Sequence, residues 1–336
     1  MICDSLPRTR LADLPTPLEE APRVSDALGG PRIFIKRDDR SGLCFGGNKP
    51  RIFEYVFGDA LQQGCDVMIT PAGVQSNHLR EVTAAANKLG VKSVIILCGG
   101  TGQEEPQGNL LLFHLLGAEI RYFDKDLHAY DDPELWAYID SVKAEYEARG
   151  HKPYVVHFSL RSGLLGSAAH VTAAEELAAQ FAEAGIEPDY LYVPSGSGVT
   201  ASGFVLGFKH LGLRTRVMGI CVLWPAEQVA RDVERHANEV AEELGLATRV
   251  GPEDFSVTDK YISPGYGVMT PEVNEAIRLW ATREGILLDP SYNGKTMAGI
   301  IDQIRSGALT REHTVVLVHT GGVPALFAQN RALIGE

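Results

Sequence analysis

Short β-rich runs alternate with helical stretches along almost the whole 336-residue chain, and that rhythm leaves few folds open. A strand over 33–36 leads through a glycine-rich loop to Lys49, and helical spacing follows over 51–63. Next come a strand over 67–70, a helix over 76–89 closed by Gly90, and a strand over 94–97. A helix over 109–116, a strand over 119–123 and a helix over 133–149 complete the first half, with Gly117 and Gly150 at the helix ends. Glycine there suits the left-handed backbone that ends a helix. The second half repeats the pattern: strands over 154–157, 190–193, 216–222 and 314–319, and helices over 165–184, from Thr200, and over 225–244, 271–284 and 294–305. Such alternation predicts an α/β fold with mainly parallel sheets and helices on both faces. Ligands in these folds sit at the carboxyl ends of strands, so the loops that follow strands carry the chemistry.

Composition narrows the partners. A net charge of -12 disfavours nucleic acid and anionic membranes, which both need a positive field. No apolar run approaches the ~20 residues of a membrane-spanning helix. The five cysteines are scattered, odd in number and form no CxxC pair, so neither a disulfide framework nor a metal site is expected. The first ten residues lack the apolar stretch of a signal peptide, and a cytoplasmic protein is the expectation.

Several strand-end loops stand out. Ser195-Gly196-Ser197-Gly198 leads into a helix beginning near Thr200. Glycines there let backbone N–H groups and the helix dipole approach an anion. The lysine of a nucleotide-triphosphate loop is missing, and glycines 196, 198 and 203 match a dinucleotide fingerprint poorly. A single phosphate on a small cofactor suits the loop better, although a plain strand-to-helix turn would use the same residues. Lys49 follows Gly46-Gly47-Asn48 at a helix start, where the dipole disfavours its cation. A lone lysine is more often a solvated surface charge. Gln75-Ser76-Asn77-His78 opens another helix; its donors suit a substrate carboxylate, while Ser76 or Asn77 would serve equally as a cap. Tyr266 between two glycines is poised to stack on something flat, and Tyr292 precedes a helix. Turn chemistry with aromatic core contacts is the alternative for both. His319-Thr320-Gly321-Gly322 ends the last strand.

Eight segments, in this order, resemble the D-cysteine desulfhydrase and 1-aminocyclopropane-1-carboxylate (ACC) deaminase family of pyridoxal-phosphate enzymes. They are Pro15-Thr16-Pro17-Leu18, Lys36-Arg37-Asp38-Asp39, Gly46-Gly47-Asn48-Lys49, Gln75-Ser76-Asn77-His78, Gly265-Tyr266-Gly267, Glu284-Gly285-Ile286-Leu287, Asp289-Pro290 with Tyr292, and His319-Thr320-Gly321-Gly322. The resemblance implies the tryptophan-synthase-β-like fold, called fold type II: two open, twisted, mainly parallel sheets flanked by helices. It implies a smaller domain over 50–160 and a larger cofactor-binding domain over 1–49 plus 161–336, in a homodimer. Lys49 would hold pyridoxal phosphate as a Schiff base, and Asn77 would bond the cofactor's ring hydroxyl. Ser197, Gly198, Val199 and Thr200 would cradle the phosphate, with Tyr266, Asn293 and Thr320 around the ring. Ser76, with Gln75 and Asn77 beside it, would hold the substrate carboxylate, and Tyr292 would face the reacting carbon. Lys49, Ser76, Tyr266 and Tyr292 are thus the expected catalytic set.

The departures bear on substrate. Family members that deaminate ACC carry glutamate where Asn293 stands, facing the pyridine nitrogen. A neutral partner fits β-elimination, in which the leaving group departs readily. The family's glycine-glycine-serine stretch is replaced around His157-Phe158-Ser159-Leu160-Arg161-Ser162-Gly163, and Pro50 follows the lysine. Arg161 is either a substrate anion contact or an exposed arginine. The expectation is α,β-elimination on a small β-substituted amino acid, D-cysteine foremost, giving a 2-oxo acid and ammonia. Alternatives are ACC deamination, a biosynthetic β-replacement or cyclisation, a non-catalytic cofactor carrier, and a nicotinamide oxidoreductase.

Overall fold

The computed structural model describes residues 1–125, 132–329 and 333. The chain opens with β1 (Leu18–Glu20), α1 (Pro22–Leu28) and β2 (Arg32–Lys36). Then α2 (Lys49–Gln62), β3 (Val67–Gly73), α3 (Asn77–Leu89), β4 (Lys92–Cys98), α4 (Gly108–Leu115), β5 (Glu119–Phe123), α5 (Pro133–Ala148) and β6 (Pro153–Val155) alternate. The second half runs α6 (Arg161–Ala184), β7 (Tyr190–Ser195), α7 (Val199–Leu211), β8 (Arg216–Cys221), α8 (Ala226–Glu243), β9 (Phe255–Thr258), α9 (Pro271–Glu284), α10 (Asn293–Arg305) and β10 (Thr314–Val318).

These strands form two sheets, ordered β5-β4-β3-β6 and β1-β2-β10-β7-β8-β9. Every pairing is parallel except β1 with β2. The mixed α/β architecture with two mainly parallel, helix-flanked sheets is the one the alternation and the resemblance imply. The small sheet is packed on one face by Ile139 and Tyr146 of α5. Trp280, Ile300 and Ile301 of α9 and α10 cover one face of the large sheet. A third core, with Phe53 and Val56 of α2, Leu177 of α6, Phe204 of α7 and Val233 of α8, fills the space between the sheets. Helices α6 and α7 approach so closely that a β-carbon on Gly203 would stand 2.2 Å from the Ser167 carbonyl oxygen.

That packing buries His170 of α6 completely, with Nδ1 donating to the Gly166 carbonyl at 2.8 Å. Burial pushes its pKa down to about 4, so the ring is neutral in the fold. The folded value lies below the unfolded one, near 6.5. The unfolded chain therefore takes up this proton first, and stability present at neutral pH is lost as pH falls from about 6.5 towards 4. For one such group the loss is about 3 kcal/mol. Urea unfolding of His170→Leu at pH 7 and at pH 4.5 is expected to show a shallower pH dependence than the parent. Identical dependence in the two proteins would exclude this source of acid sensitivity.

Candidate active site

One cavity of about 170 Å³ opens at the carboxyl ends of the strands, between the two sheets. Its lining brings together Lys49, Ser76, Asn77, Ser197, Gly198, Val199, Thr200, Tyr292 and Thr320, which lie up to 271 residues apart (320 − 49 = 271).

Lys49 is the first residue of α2, and the chain before it is bent by the left-handed residues Cys44, Phe45, Gly46 and Gly47. A β-carbon on Gly46 would stand 2.2 Å from the Asp39 carbonyl oxygen, so only glycine fits there. The turn is tied down by Gly47 N–H donating to Asp38 O at 2.9 Å and by Ser41 Oγ donating to Gly47 O at 2.6 Å. Two residues on, buried Arg51 anchors the helix, donating to Asp38 at 2.9 Å and to both oxygens of Glu176 at 2.8 and 2.9 Å. Lys36 completes the network by pairing with Glu176 and donating to Thr16 O and Gln180 at 2.7 Å. Two cations face two carboxylates there. Burial alone would raise the pKa of Asp38, but the Arg51 and Lys36 charges outweigh it and hold it below the usual range. Lys49 has no such ring of partners: burial lowers its pKa, and the charge of Glu81 opposes that only in part.

The loop after β7 enters α7 through Gly198, a left-handed residue that offers no side-chain cap. The first N–H groups of a helix have no partner within the helix, and here they meet the cavity beside Ser197 and Thr200. Apart from its own chain neighbours, no described residue comes within 4 Å of where a β-carbon on Gly196 would stand. Asn48, to which the sequence gave no role of its own, donates to Thr200 Oγ at 2.9 Å and leaves that hydroxyl's proton for another acceptor.

At α3, Ser76 is the cap, accepting from Leu79 N–H at 3.4 Å. Asn77 Oδ1 accepts from Arg80 at 2.6 Å and from Asn109 at 2.9 Å, so its amide N–H₂ is the end left to donate. Gln75 does not line the cavity; it accepts from Asn109 N–H at 2.9 Å, donates to Gln107 O at 3.0 Å, and so fixes the start of α4.

Tyr292 lines the cavity, and Tyr266 stands behind it, hydroxyl to hydroxyl at 2.7 Å, with the rings edge to face. Burial pushes the Tyr292 pKa up to about 12. Asp289 holds the Tyr292 turn by accepting from the N–H groups of Ser291, Tyr292 and Asn293. Asn293 is fully buried and outside the lining; it donates to Asp289 at 2.6 Å and to Gly321 O at 2.7 Å, and accepts from Thr320 N–H at 2.9 Å. It thereby fixes Thr320, which does line the cavity.

His78, His157, Phe158 and Trp224 also line the cavity. Burial, with the Lys49 charge adding to it, pushes His78 down to about 3, and burial pushes His157 down to about 4. Both imidazoles are neutral near pH 7. Arg161 is not in the lining; it donates to Asp59 and Glu243 at 3.0 Å each. Lys49 is therefore the one lysine, arginine or carboxylate among the described lining residues. His157 and Phe158 belong to the 157–163 stretch in which the sequence departs from the family, whereas Trp224 was missed by sequence reasoning, although its place just after β8 is the signal that could have found it.

Comparison with known proteins shows the family. The model of the family described as "Pyridoxal-phosphate dependent enzyme" matches residues 9–321. A D-cysteine desulfhydrase of Klebsiella pneumoniae (strain 342) is 40% identical over 326 residues, covering 96% of each chain. A crystal structure of an ACC deaminase homologue superposes with a TM-score of 0.88 at 37% identity, covering 99% of this chain and 97% of that one. The apo diaminopropionate ammonia lyase of Escherichia coli shares the fold, with a TM-score of 0.66 at 18% identity over 96% of this chain and 86% of its own. The chain belongs to the pyridoxal-phosphate-dependent enzyme family.

Proposed function

We propose that this enzyme removes the β-substituent of a small amino acid with an uncharged side chain, D-cysteine foremost, releasing a 2-oxo acid and ammonia. One observation carries this reading: Lys49, assigned to the cofactor, is the one lysine, arginine or carboxylate of the described lining, so no other charged group there would pair a charged substrate side chain.

The residues fit pyridoxal phosphate. The uncapped start of α7, with open space at Gly196, suits its phosphate, held by Ser197, Gly198, Val199 and Thr200. The free amide hydrogens of Asn77 suit its ring hydroxyl. Thr320 would meet the ring nitrogen with Asn293 acting through it, and Tyr266 would support the ring's surroundings through Tyr292. When bound, the cofactor supplies the electron sink for charge developing at the substrate Cα. Lys49, its ammonium disfavoured by burial, takes the Cα proton at Nζ while the Cα–H electron pair expels the β-substituent, and that proton leaves with the departing group. The start of α3 with Ser76 holds the substrate carboxylate, and Gln75 keeps that start in place through Asn109. Tyr292 stays protonated at neutral pH and so acts as a donor towards the leaving group. Since the cavity lies between the sheets, we read 50–160 as the smaller domain closing on the larger one, 1–49 plus 161–336.

A second reading, ACC deamination, is favoured by the superposition with the ACC deaminase homologue. It is disfavoured by a described lining that holds no carboxylate for the ring nitrogen. Release of 2-oxo acid from D-cysteine, L-cysteine, D-serine, ACC and diaminopropionate separates the two. Turnover of D-cysteine is expected, with ACC and charged diaminopropionate at least about tenfold lower in kcat/KM, a difference worth ~1.4 kcal/mol. Preference for ACC would move the assignment to the second reading, and silence across the panel would leave a cofactor carrier.

No described helix is long and apolar enough to cross a membrane. We propose a cytoplasmic homodimer, for which exposed Leu111, Leu115 and Phe327 offer apolar contact surface. Sedimentation equilibrium at monomer mass would remove the dimer.

A further inference from the structure

Glu81 is a buried carboxylate to which the mechanism above gives no task. It is 1% exposed, on α3 immediately after Arg80, and the two side chains form an ion pair. Arg80 also donates to the carbonyls of Cys44 and Gly46 at 2.9 and 3.1 Å, and to Asn77 and Asn109 at 2.6 and 2.8 Å. The Glu81 carboxyl lies against Gly47, two residues before Lys49. A β-carbon on Gly47 would stand 2.8 Å from Oε1 and 3.3 Å from Oε2. Oε2 is fully buried and has no hydrogen-bond partner among the described residues.

A buried carboxylate with an unpaired oxygen is unfavourable unless nearby positive charge or a proton compensates it. The ionisable groups that act on Glu81 are Arg80 from its own helix, Lys49 from the start of α2, and the Cys44 thiol from the loop between β2 and α2. A guanidinium is not deprotonated in proteins. Lys49 does not keep its charge, because its amine changes state during turnover.

We propose that Glu81 is a positioning residue acting through Lys49: it is ionised while Lys49 carries positive charge and takes a proton from solvent when that charge is lost. The charge of the buried site then stays nearly constant, and the proton returns to solvent when Lys49 is recharged. Burial pushes the Glu81 pKa up to about 8 even against the pull of Arg80 and Lys49, so the exchange operates at and above about pH 8. The role rests on the reading of Lys49 as the cofactor lysine, but the coupling itself is measurable without turnover.

The test follows the carboxyl resonance of ¹³C-glutamate-labelled full-length protein against pH, in the parent and in Lys49→Ala. Removing the Lys49 cation is expected to raise the Glu81 midpoint by about one pH unit, a tenfold change in proton affinity. Superimposable titrations would overturn the proposal. Glu81→Gln gives the reciprocal reading. It keeps the side chain's shape and an acceptor for Arg80 while removing the counter-charge. The pH midpoint of the visible cofactor band should move to lower pH by a similar amount, because the cation at Lys49 loses support. A variant that is merely less stable, with an unmoved midpoint, would reduce Glu81 to a packing role. If Glu81→Gln does not fold, the comparison of parent with Lys49→Ala decides alone. A colourless parent protein would remove the cofactor reading of Lys49 while leaving the measured coupling to stand or fall independently.

Discussion

Lys49→Ala is expected to purify without the visible cofactor band and to lose turnover of D-cysteine by at least about 10²–10⁴-fold, the contribution of a positioned acid–base group. The reason is the isolation of Lys49 among uncharged lining residues. His78 and His157 are held neutral by burial, but neither has the amine that a covalent bond to the cofactor's carbonyl carbon needs. Retention of both the band and the activity would mean that another lysine does the work. The fold should be unaffected, because Lys49 lies at a helix start and its Nζ makes no ion pair among the described residues.

Arg51→Met is expected to cost about 3–5 kcal/mol of stability, the penalty for breaking a buried pair by removing one partner. Asp38 and Glu176 would be left facing Lys36 alone, with Asp38 fully buried. Because Arg51 is one turn or less from Lys49, cofactor affinity should fall as well. Urea unfolding checks the first effect and equilibrium dialysis of pyridoxal phosphate the second. A loss below about 1 kcal/mol would place this network in the range of exposed pairs, against its burial.

The parallel sheets were legible because buried parallel strands read as short apolar runs between helical stretches. β1 and β9 were not, since runs of three and four residues, LEE and FSVT, carry little periodicity. α1 is a seven-residue helix with only Val24 buried, too short to display an apolar face. At the site, glycines and hydroxyls after strands marked the anion-binding helix starts, and the ordered resemblance supplied the roles. Partners reached through a second residue stayed hidden. Gln75 looked like a substrate donor but is engaged by α4, and Asn293 looked like a ring contact but is engaged by Asp289, Gly321 and Thr320. Arg80, Asn48 and Glu81 act through Asn77, Thr200 and the Gly47 turn, and such relations exist only once distant segments pack together.

The central claim is the assignment of Lys49 as the residue that bonds the cofactor. Borohydride reduction of the holoenzyme, followed by proteolysis and mass spectrometry, tests it most directly. A phosphopyridoxyl group is expected on the peptide carrying Lys49 and on no other. The same group on the peptide carrying Lys36 or Lys295, both fully buried, or no adduct at all, would contradict it.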